Sequence, residues 1–199
     1  MRIKCNELKL FAFSDTHGMH EYLTIPSNQD VLICSGDVCI TFDPREFEAF
    51  VEWYREQPAR LRLFVWGNHE MTFCDKPLLR SYLAENDIQL IENEGLTWEG
   101  IHFYSLPARV LLREEAMMPI DVDFLLTHAP MAGVLDEGRG CSQLREAIET
   151  YKPKYHLFGH AHREGLNKVE GENTTFINVS YYEFLYKKAF SYGDLLIDK

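Results

Sequence analysis

The chain has 199 residues, 46% of them hydrophobic and 26% charged, and its 31 acidic against 20 basic residues give a net charge of -11. This length predicts a single domain spanning residues 1–199, and the composition excludes a disordered chain, a collagen-like chain and a coiled coil. A net acidic surface repels long polyanions, so the sequence argues against a long nucleic acid as partner. A small anionic ligand held through a metal ion remains compatible with this charge.

The cysteine pattern argues for free thiols. The five cysteines are an odd number and form no C-x-x-C pair, so neither a disulfide framework nor a zinc ribbon is indicated. No apolar run reaches the ~18 residues of a membrane-spanning helix, and the first apolar stretch is shorter than the roughly 7–15 residues of a signal-peptide core. We therefore expect a cytoplasmic protein that does not engage membranes.

Short apolar runs alternate with amphipathic stretches along the chain. The runs are rich in β-branched and aromatic residues, which predicts strands covered on both faces. The amphipathic stretches repeat apolar residues at helical spacing, and Asp43 and Pro44 fit the N-cap and first position of the earliest helix. The predicted strands are residues 10–13, 31–34, 61–66, 124–127, 155–158 and 175–179, and the predicted helices are residues 44–57, 76–85 and 142–151.

Two further segments have strand-like patterns. Residues 88–106 contain three consecutive strand-like pieces, which predicts a β-meander, and residues 190–197 predict a last edge strand. The alternation of elements indicates an α/β protein with mixed rather than purely parallel sheets.

Five of the predicted strands run directly into polar side chains. In open α/β sheets the carboxyl ends of the strands line the ligand crevice, so these five clusters can converge on one site. Glycines at positions 18, 36, 67 and 159 allow tight turns beside them. The candidate residues are Asp15 and His17, Asp37, Asn68 and His69, His128, and finally His160 and His162.

The chemistry of this set indicates metal binding. Carboxylates, an amide oxygen and imidazoles together suit first-row divalent metals better than an all-oxygen calcium or magnesium site. In extended chain, residues two apart point the same way, so Asp15 and His17 can reach one centre, as can His160 and His162. Without His69 these residues give seven candidate ligands, more than the four of one tetrahedral site, which favours two metals sharing a carboxylate.

The motifs D-x-H, G-D, G-N-H-[DE], a lone histidine after a strand and G-H-x-H occur in this order between Asp15 and His162. Together they resemble the signature of the calcineurin-like metallophosphoesterases. Residues 127–180, with THAPMAGVLD, GCSQL, PKYHLFGHAHREG and TTFINVS, are similar to the MPPED-type subgroup, which is related to the class III cyclic-nucleotide phosphodiesterases. The similarity weakens over residues 99–121.

This resemblance implies a four-layer α-β-β-α sandwich with two facing mixed β-sheets. It also implies two divalent transition-metal ions, with manganese as the first expectation and iron, zinc, nickel or cobalt as alternatives. His69 would stabilise or protonate the leaving oxygen. The implied ligands are Asp15, His17, Asp37 and His162 for one ion, and Asp37, Asn68, His128 and His160 for the other, with Asp37 bridging them.

The expected activity is hydrolysis of small phosphodiesters by a hydroxide held between the two ions. Cyclic nucleotides are the leading substrate, on the subgroup resemblance alone. A phosphomonoesterase or dinucleoside-polyphosphate hydrolase with the same site, and a non-catalytic metal-binding scaffold, are the alternatives. A chain of 199 residues has few residues to form a lid over the substrate, so we expect an open site with broad specificity. We also expect a monomer or small homo-oligomer.

Other polar residues admit two interpretations. Arg163 and Arg109 could each clamp a substrate phosphate or form a surface ion pair. His69 could instead position Asn68, and Glu70 fits a structural role better than a catalytic one.

The remaining histidines and three tyrosines are less informative. His102 and His156 lie in predicted strands and fit packing roles, whereas His20 could approach the site from its loop. The tyrosines after the last predicted strand, which could stack on a base or cover the sheet, are Tyr181, Tyr182 and Tyr186.

Overall fold

The computed structural model describes residues 1–41, 43–71, 77–112 and 116–190. Within these ranges the chain forms two β-sheets with α-helices on their outer faces. The strands are β1 Arg2–Cys5, β2 Leu8–Phe13, β3 Gln29–Cys34, β4 Ala59–Phe64, β5 Gln89–Leu90, β6 Glu94–Trp98, β7 Ile101–Ser105, β8 Phe124–Leu126, β9 Tyr155–Phe158, β10 Lys168–Glu170 and β11 Thr175–Asn178. The helices are α1 Pro44–Arg55, α2 Pro77–Glu85, α3 Ser142–Tyr151 and α4 Tyr182–Phe190, with short 3-10 helices at His20–Tyr22 and His162–Glu164.

Both sheets are mixed. The first has the order β1-β2-β3-β4-β5, with β1 as an antiparallel edge beside parallel strands. The second has the order β10-β11-β9-β8-β7-β6, with parallel inner strands and an antiparallel strand at each edge. The two sheets meet where β2 and β11 end, because the Ser14 N–H donates to Val179 O (3.0 Å) and the Tyr181 N–H donates to Ser14 O (3.1 Å).

Three apolar clusters define four layers. Between the sheets, residues such as Ile33 of the first sheet and Leu126 of the second are fully buried in one cluster. A second cluster joins the first sheet to α1, α2 and α4, and a third joins the second sheet to α3. The expected four-layer α-β-β-α sandwich with two facing mixed sheets is therefore confirmed. The assignment of residues 1–199 to one domain stays a prediction.

The helix predictions agree with the structure at their cores. Asp43 caps α1 by accepting the Arg45 N–H (2.9 Å), with Pro44 in the first turn. The apolar face of α1 is buried against the first sheet, and α3 has the predicted bounds. Helix α2 is described from Pro77, since position 76 lies outside the described residues, and Leu78 is 82% exposed rather than part of the apolar face.

The predicted meander over residues 88–106 is wrong. Strand β5 belongs to the first sheet, where it lies parallel to β4, and β6 and β7 alone form a hairpin in the second. The reason is the crossover: α2 carries the chain back beside β4, so the next strand pairs in parallel there. The edge strand predicted for residues 190–197 is wrong for Phe190, which is the last residue of helix α4. The rest of that prediction, residues 191–197, lies outside the described residues.

Two further expectations concern thiols and membranes. The cysteines at 5, 34, 39 and 141 are free, and Cys74 lies outside the described residues. Over the described part of the chain, no helix has both the length and the apolarity needed to cross a bilayer.

His156 confirms its predicted packing role, whereas His102 lies exposed on β7. The fully buried His156 Nε2 lies 2.8 Å from Thr127 Oγ1, whose hydroxyl donates to Ala129 O, so Nε2 carries the proton. Among the described residues, His156 Nδ1 has no hydrogen-bond partner. Burial lowers the pKa of His156 from 6.5 to about 3.

Acid should therefore destabilise the fold through His156. The unfolded chain protonates His156 more readily than the folded chain does. The contribution of neutral His156 to the unfolding free energy is therefore complete above pH 6.5 and is lost as pH falls towards 3. We expect His156→Gln to reduce the loss of unfolding free energy between pH 7 and pH 5 by about 2 kcal/mol in urea titrations. His102→Gln, the control, should keep the wild-type slope. A wild-type slope in His156→Gln would contradict the assignment.

Candidate metal centre

The predicted ligands converge where the two sheets meet. Within each of three groups, the side-chain ligand atoms lie within 4.8 Å of one another. Asp37 occurs in two of the groups and His17 in two, so the groups form one continuous cluster. They are Asp15, His17 and His162; His17, Asp37 and His69; and Asp37, His128 and His160.

One loop orients three of the histidines. This loop, residues 35–40, follows β3, and we call it the β3 loop. Three of its carbonyl oxygens each accept a hydrogen bond from an Nδ1–H, which leaves Nε2 of each ring turned towards the cluster as the atom that can bind a metal ion or carry a second proton. The pairs are His128 with Ser35 O (2.7 Å), His17 with Cys39 O (3.0 Å) and His69 with Ile40 O (3.0 Å).

Glu70 anchors the other side of the β3 loop. Its Oε2 accepts the N–H groups of Asp37 and Gly67 (both 2.9 Å), and its Oε1 accepts those of Val38 (2.9 Å) and Cys39 (3.2 Å). Burial and the nearby Asp37 carboxylate raise the pKa of Glu70 to about 7. The fully buried carboxyl group therefore acts as a clamp, in agreement with its predicted structural role.

Asp15 links the loops that follow β2 and β9. Its carboxylate accepts the His160 N–H (3.1 and 3.2 Å) and the Ser14 hydroxyl, and it lies 3.2 Å from His162 Nε2. Burial alone would raise the pKa of Asp15, but the His162 hydrogen bond and the charges of neighbouring histidines hold it well below its usual range. Asp15 therefore stays ionised in the interior.

The donor set fits a bound cation. His128 Nε2 lies 3.2 Å from Asp37 Oδ2, yet among the described residues it has no aligned hydrogen-bond partner, and neither does the buried Asn68 Oδ1. Burial lowers the pKa of His160 to about 4. Burial also opposes a charge on His128, but Asp37 outweighs this and raises the pKa of His128 to about 10. The cluster thus combines ionised carboxylates, free imidazole and amide lone pairs, and a demand for positive charge.

The backbone beside the cluster is constrained. Asp15, His17, Asp37 and His160 all have positive φ, between 40° and 65°. This left-handed conformation is costly for residues with a side chain and is concentrated at functional sites.

A profile of the calcineurin-like phosphoesterases matches residues 8–164. The chain belongs to this family. Its motifs occupy the strand ends from which the ligand cluster is built, so the family resemblance inferred from the sequence is confirmed.

The relatives of this calcineurin-like phosphoesterase include MPPED-type proteins. A UPF0046 protein of Caenorhabditis elegans is 31% identical over 87% of this chain and 69% of its own length. The human metallophosphoesterase domain-containing protein 1 is 28% identical over 84% of this chain. The chain spans 64% of that human relative, slightly less than two thirds.

Solved structures share the fold at low sequence identity. A phosphopantetheinyl hydrolase of Mycobacterium tuberculosis has a TM-score of 0.63, with 16% identity over 90% of this chain and 91% of its own. The protein TT1561 of Thermus thermophilus has a TM-score of 0.58, with 13% identity over 85% of this chain and 87% of its own.

The structure gives other partners to the two arginines predicted as substrate contacts of this calcineurin-like phosphoesterase. The Arg109 guanidinium pairs with Glu92, which corresponds to the ion-pair alternative. Arg163 is exposed directly after His162, and its backbone N–H donates to Glu137 (2.6 Å). His20 does not approach the cluster, since its buried ring packs against Phe50 and Trp53 of α1.

Sequence reasoning missed one residue that shapes the cluster and did not place another beside it. Asn178 Nδ2 donates to Ala161 O (2.8 Å), which supports the turn between His160 and His162. Asn178 ends strand β11. The search for polar residues at the carboxyl ends of the other five strands would have found it if it had included this strand. Tyr182, treated as part of a patch, lies with its ring centroid 4.2 Å from that of His162.

Gly159 is a position where this calcineurin-like phosphoesterase should tolerate a methyl group poorly, directly beside the cluster. A Cβ there would overlap Ser14 Oγ and the Asp15 carboxylate. We expect Gly159→Ala to lower metal affinity by at least about tenfold, because the Asp15 and His160 loops must separate. Metal content after dialysis measures this. Gly100→Ala, where a Cβ meets nothing within 4 Å although φ is +77°, controls for the effect of an added methyl group that clashes with no neighbour. Wild-type affinity in Gly159→Ala would contradict the expectation.

Proposed function

We propose that the chain is a metal-dependent phosphodiesterase that hydrolyses small phosphodiesters, with cyclic nucleotides as the leading candidates. The observation that supports this most strongly is the convergence of three ligand groups that share Asp37 and His17. Such a continuous set of carboxylate and imidazole ligands suits two neighbouring divalent ions, and manganese is the ion we propose first.

The proposed ligand sets follow the sequence motifs. Bound divalent ions would supply Lewis acidity towards the phosphoryl oxygens and an activated water as nucleophile. The set for one ion is Asp15, His17, Asp37 and His162, and the set for the other is Asp37, Asn68, His128 and His160.

His69 is the residue we assign to the leaving group. Its Nε2 lies 3.9 Å from Asp37 Oδ2, and its side chain is 33% exposed against 2% for Asp37. It therefore reaches both the ligand cluster and the solvent side where a substrate enters. Because Nδ1–H is donated to Ile40 O, a proton delivered to a departing oxygen has to come from Nε2.

Charge supports a small substrate. The net charge of -11 repels long polyanions, while the metal-binding cluster attracts one phosphate group. Arg163, exposed beside His162, remains our proposed contact to that phosphate. We propose broad specificity, no membrane partner, a monomer or small homo-oligomer, and a cytoplasmic location, the last supported by the free cysteines.

Hydrolysis of two p-nitrophenyl esters tests the proposal. The wild-type chain should cleave bis-p-nitrophenyl phosphate with Mn²⁺ and lose this activity with EDTA. Cleavage of p-nitrophenyl phosphate alone would replace the phosphodiesterase assignment with a phosphomonoesterase. No turnover of either ester by folded, metal-loaded protein would overturn the proposal in favour of a metal-binding scaffold.

His69→Ala separates catalysis from metal binding. We expect it to lower kcat by about 10²–10⁴-fold, because a positioned proton donor contributes roughly that much. Its metal content should stay at the wild-type value, as measured by elemental analysis. His102→Ala, which removes an exposed histidine of β7, should leave both unchanged. Wild-type turnover in His69→Ala would remove His69 from the mechanism.

A further inference from the structure

Helix α4 presents a row of three aromatic rings. Tyr182, Tyr186 and Phe190 recur every fourth residue and therefore share one face of the helix. Ring centroids are 5.9 Å apart between Tyr182 and Tyr186, and 4.5 Å apart between Tyr186 and Phe190. The interplanar angles are 32° and 39°, so successive rings have similar orientations. We call this row the α4 aromatic ladder.

The ladder begins on the metal-binding cluster. The Tyr182 ring stacks on His162 at 4.2 Å with an interplanar angle of 27°, and it meets His17 edge-on at 5.2 Å. Both histidines belong to the group that contains Asp15. Tyr182 therefore forms one wall of the site, and the rest of the ladder leads outward from it.

Packing of the helix does not explain the outer rings. Helix α4 is held by the fully buried Leu185 and by the preceding Tyr181, whose ring lies 5.9 Å from that of Phe11. Tyr186 and Phe190 are instead 48% and 57% exposed. Among the described residues, two neighbouring rings of the ladder thus remain about half-exposed, although burying them fully would stabilise the fold.

We propose that the α4 aromatic ladder is a stacking subsite for a planar aromatic group of the substrate, such as a nucleobase. This inference rests on the proposed function, because a phosphate held at the cluster brings the rest of the ester alongside α4. The outer rings carry no charge, so they suit an uncharged planar group rather than a second phosphate. Stacking on aromatic side chains accepts any base, which agrees with broad specificity.

Calorimetric titration of the Mn²⁺-loaded chain tests the subsite without relying on turnover. The probes are adenosine 5′-monophosphate and ribose 5-phosphate, which share the phosphate and the sugar but differ in the planar base. We expect adenosine 5′-monophosphate to bind about tenfold more tightly, the contribution of one stacked base.

Variants on the two faces of α4 locate the effect. Tyr186→Leu should reduce the affinity ratio of the two probes to below about twofold, because it keeps apolar bulk but removes the ring face. Tyr186→Phe should restore the wild-type ratio. Phe184→Leu is the matched control, since Phe184 is also half-exposed on α4 but lies against Tyr181 instead of the ladder.

Each outcome decides between the two proposals. Equal affinities for the two probes, no binding of either, or an unchanged ratio in Tyr186→Leu would overturn the subsite. If bis-p-nitrophenyl phosphate is still hydrolysed in those cases, the proposed function stands. A ratio that depends on Tyr186 in a chain that hydrolyses no ester would support the subsite and overturn the phosphodiesterase assignment.

Discussion

Asp37→Asn is expected to lower kcat/KM for bis-p-nitrophenyl phosphate by about 10³-fold or more and to reduce the bound metal to less than two ions per chain. Asp37 Oδ2 lies 3.2 Å from His128 Nε2 and 3.9 Å from both His17 Nε2 and His69 Nε2, at the centre of the cluster. An amide there removes the negative charge and turns one oxygen ligand into a hydrogen-bond donor. Kinetics together with elemental analysis measure both effects.

The same variant should remain folded. Asp15, Asp37 and Glu70 are all buried, and their like charges repel one another. The charged form of Asp37 is nevertheless favoured in the fold, because contact with His128 and His17 holds its pKa below the usual value, so thermal unfolding in EDTA should occur somewhat below the wild-type temperature. Asp123→Asn, which alters a carboxylate paired with Lys154, is the control and should keep full turnover. Two bound ions in Asp37→Asn would exclude a shared ligand at this position.

Glu70→Ala should be the most destabilising single change near the site. It leaves four buried backbone N–H groups without their acceptor, and each unsatisfied donor costs about 1–3 kcal/mol before relaxation. We expect a net loss of about 4 kcal/mol in unfolding free energy, or about 10 °C in Tm. Urea and thermal denaturation of the metal-free chain measure this.

Glu46 provides the matched control for Glu70. Its carboxylate accepts the N–H groups of Ile40 and Thr41, at the outer end of the β3 loop, but it does so in contact with solvent. Water can replace it there, so Glu46→Ala should cost about 1 kcal/mol or less. Equal losses in the two variants would show that burial of the Glu70 clamp adds nothing.

Much of the site could be predicted because its polar residues directly follow buried parallel strands. Buried parallel strands have continuous apolar runs, and the polar residues that follow them must lie at one end of the sheet. Asp15, Asp37, His128 and His160 therefore came together in the prediction without any knowledge of strand order. The four layers followed from the family resemblance, whereas alternating elements alone indicated only an α/β protein.

The contacts made by the backbone could not be predicted. Glu70 binds backbone N–H groups of the β3 loop, some thirty residues earlier in the chain. Three histidines from different parts of the chain donate hydrogen bonds to carbonyl oxygens of that same loop. Such pairings depend on which loops lie side by side, information that neither spacing nor hydropathy contains. Helix α4 was missed because its many aromatic residues have a high strand propensity. The sequence therefore did not indicate a helix there.

The candidate ligands are divided between the two sheets. Asp15, His17 and Asp37 follow strands of the first sheet, whereas His128 and His160 follow strands of the second. An ion bound by both sets acts as a cross-link between halves of the sandwich that are otherwise joined mainly by apolar contact. Its binding free energy adds to the cohesion of the layers, about 2.7 kcal/mol at a hundredfold excess over Kd. Cellular metal supply would then govern how long the folded chain survives as well as how fast it turns over.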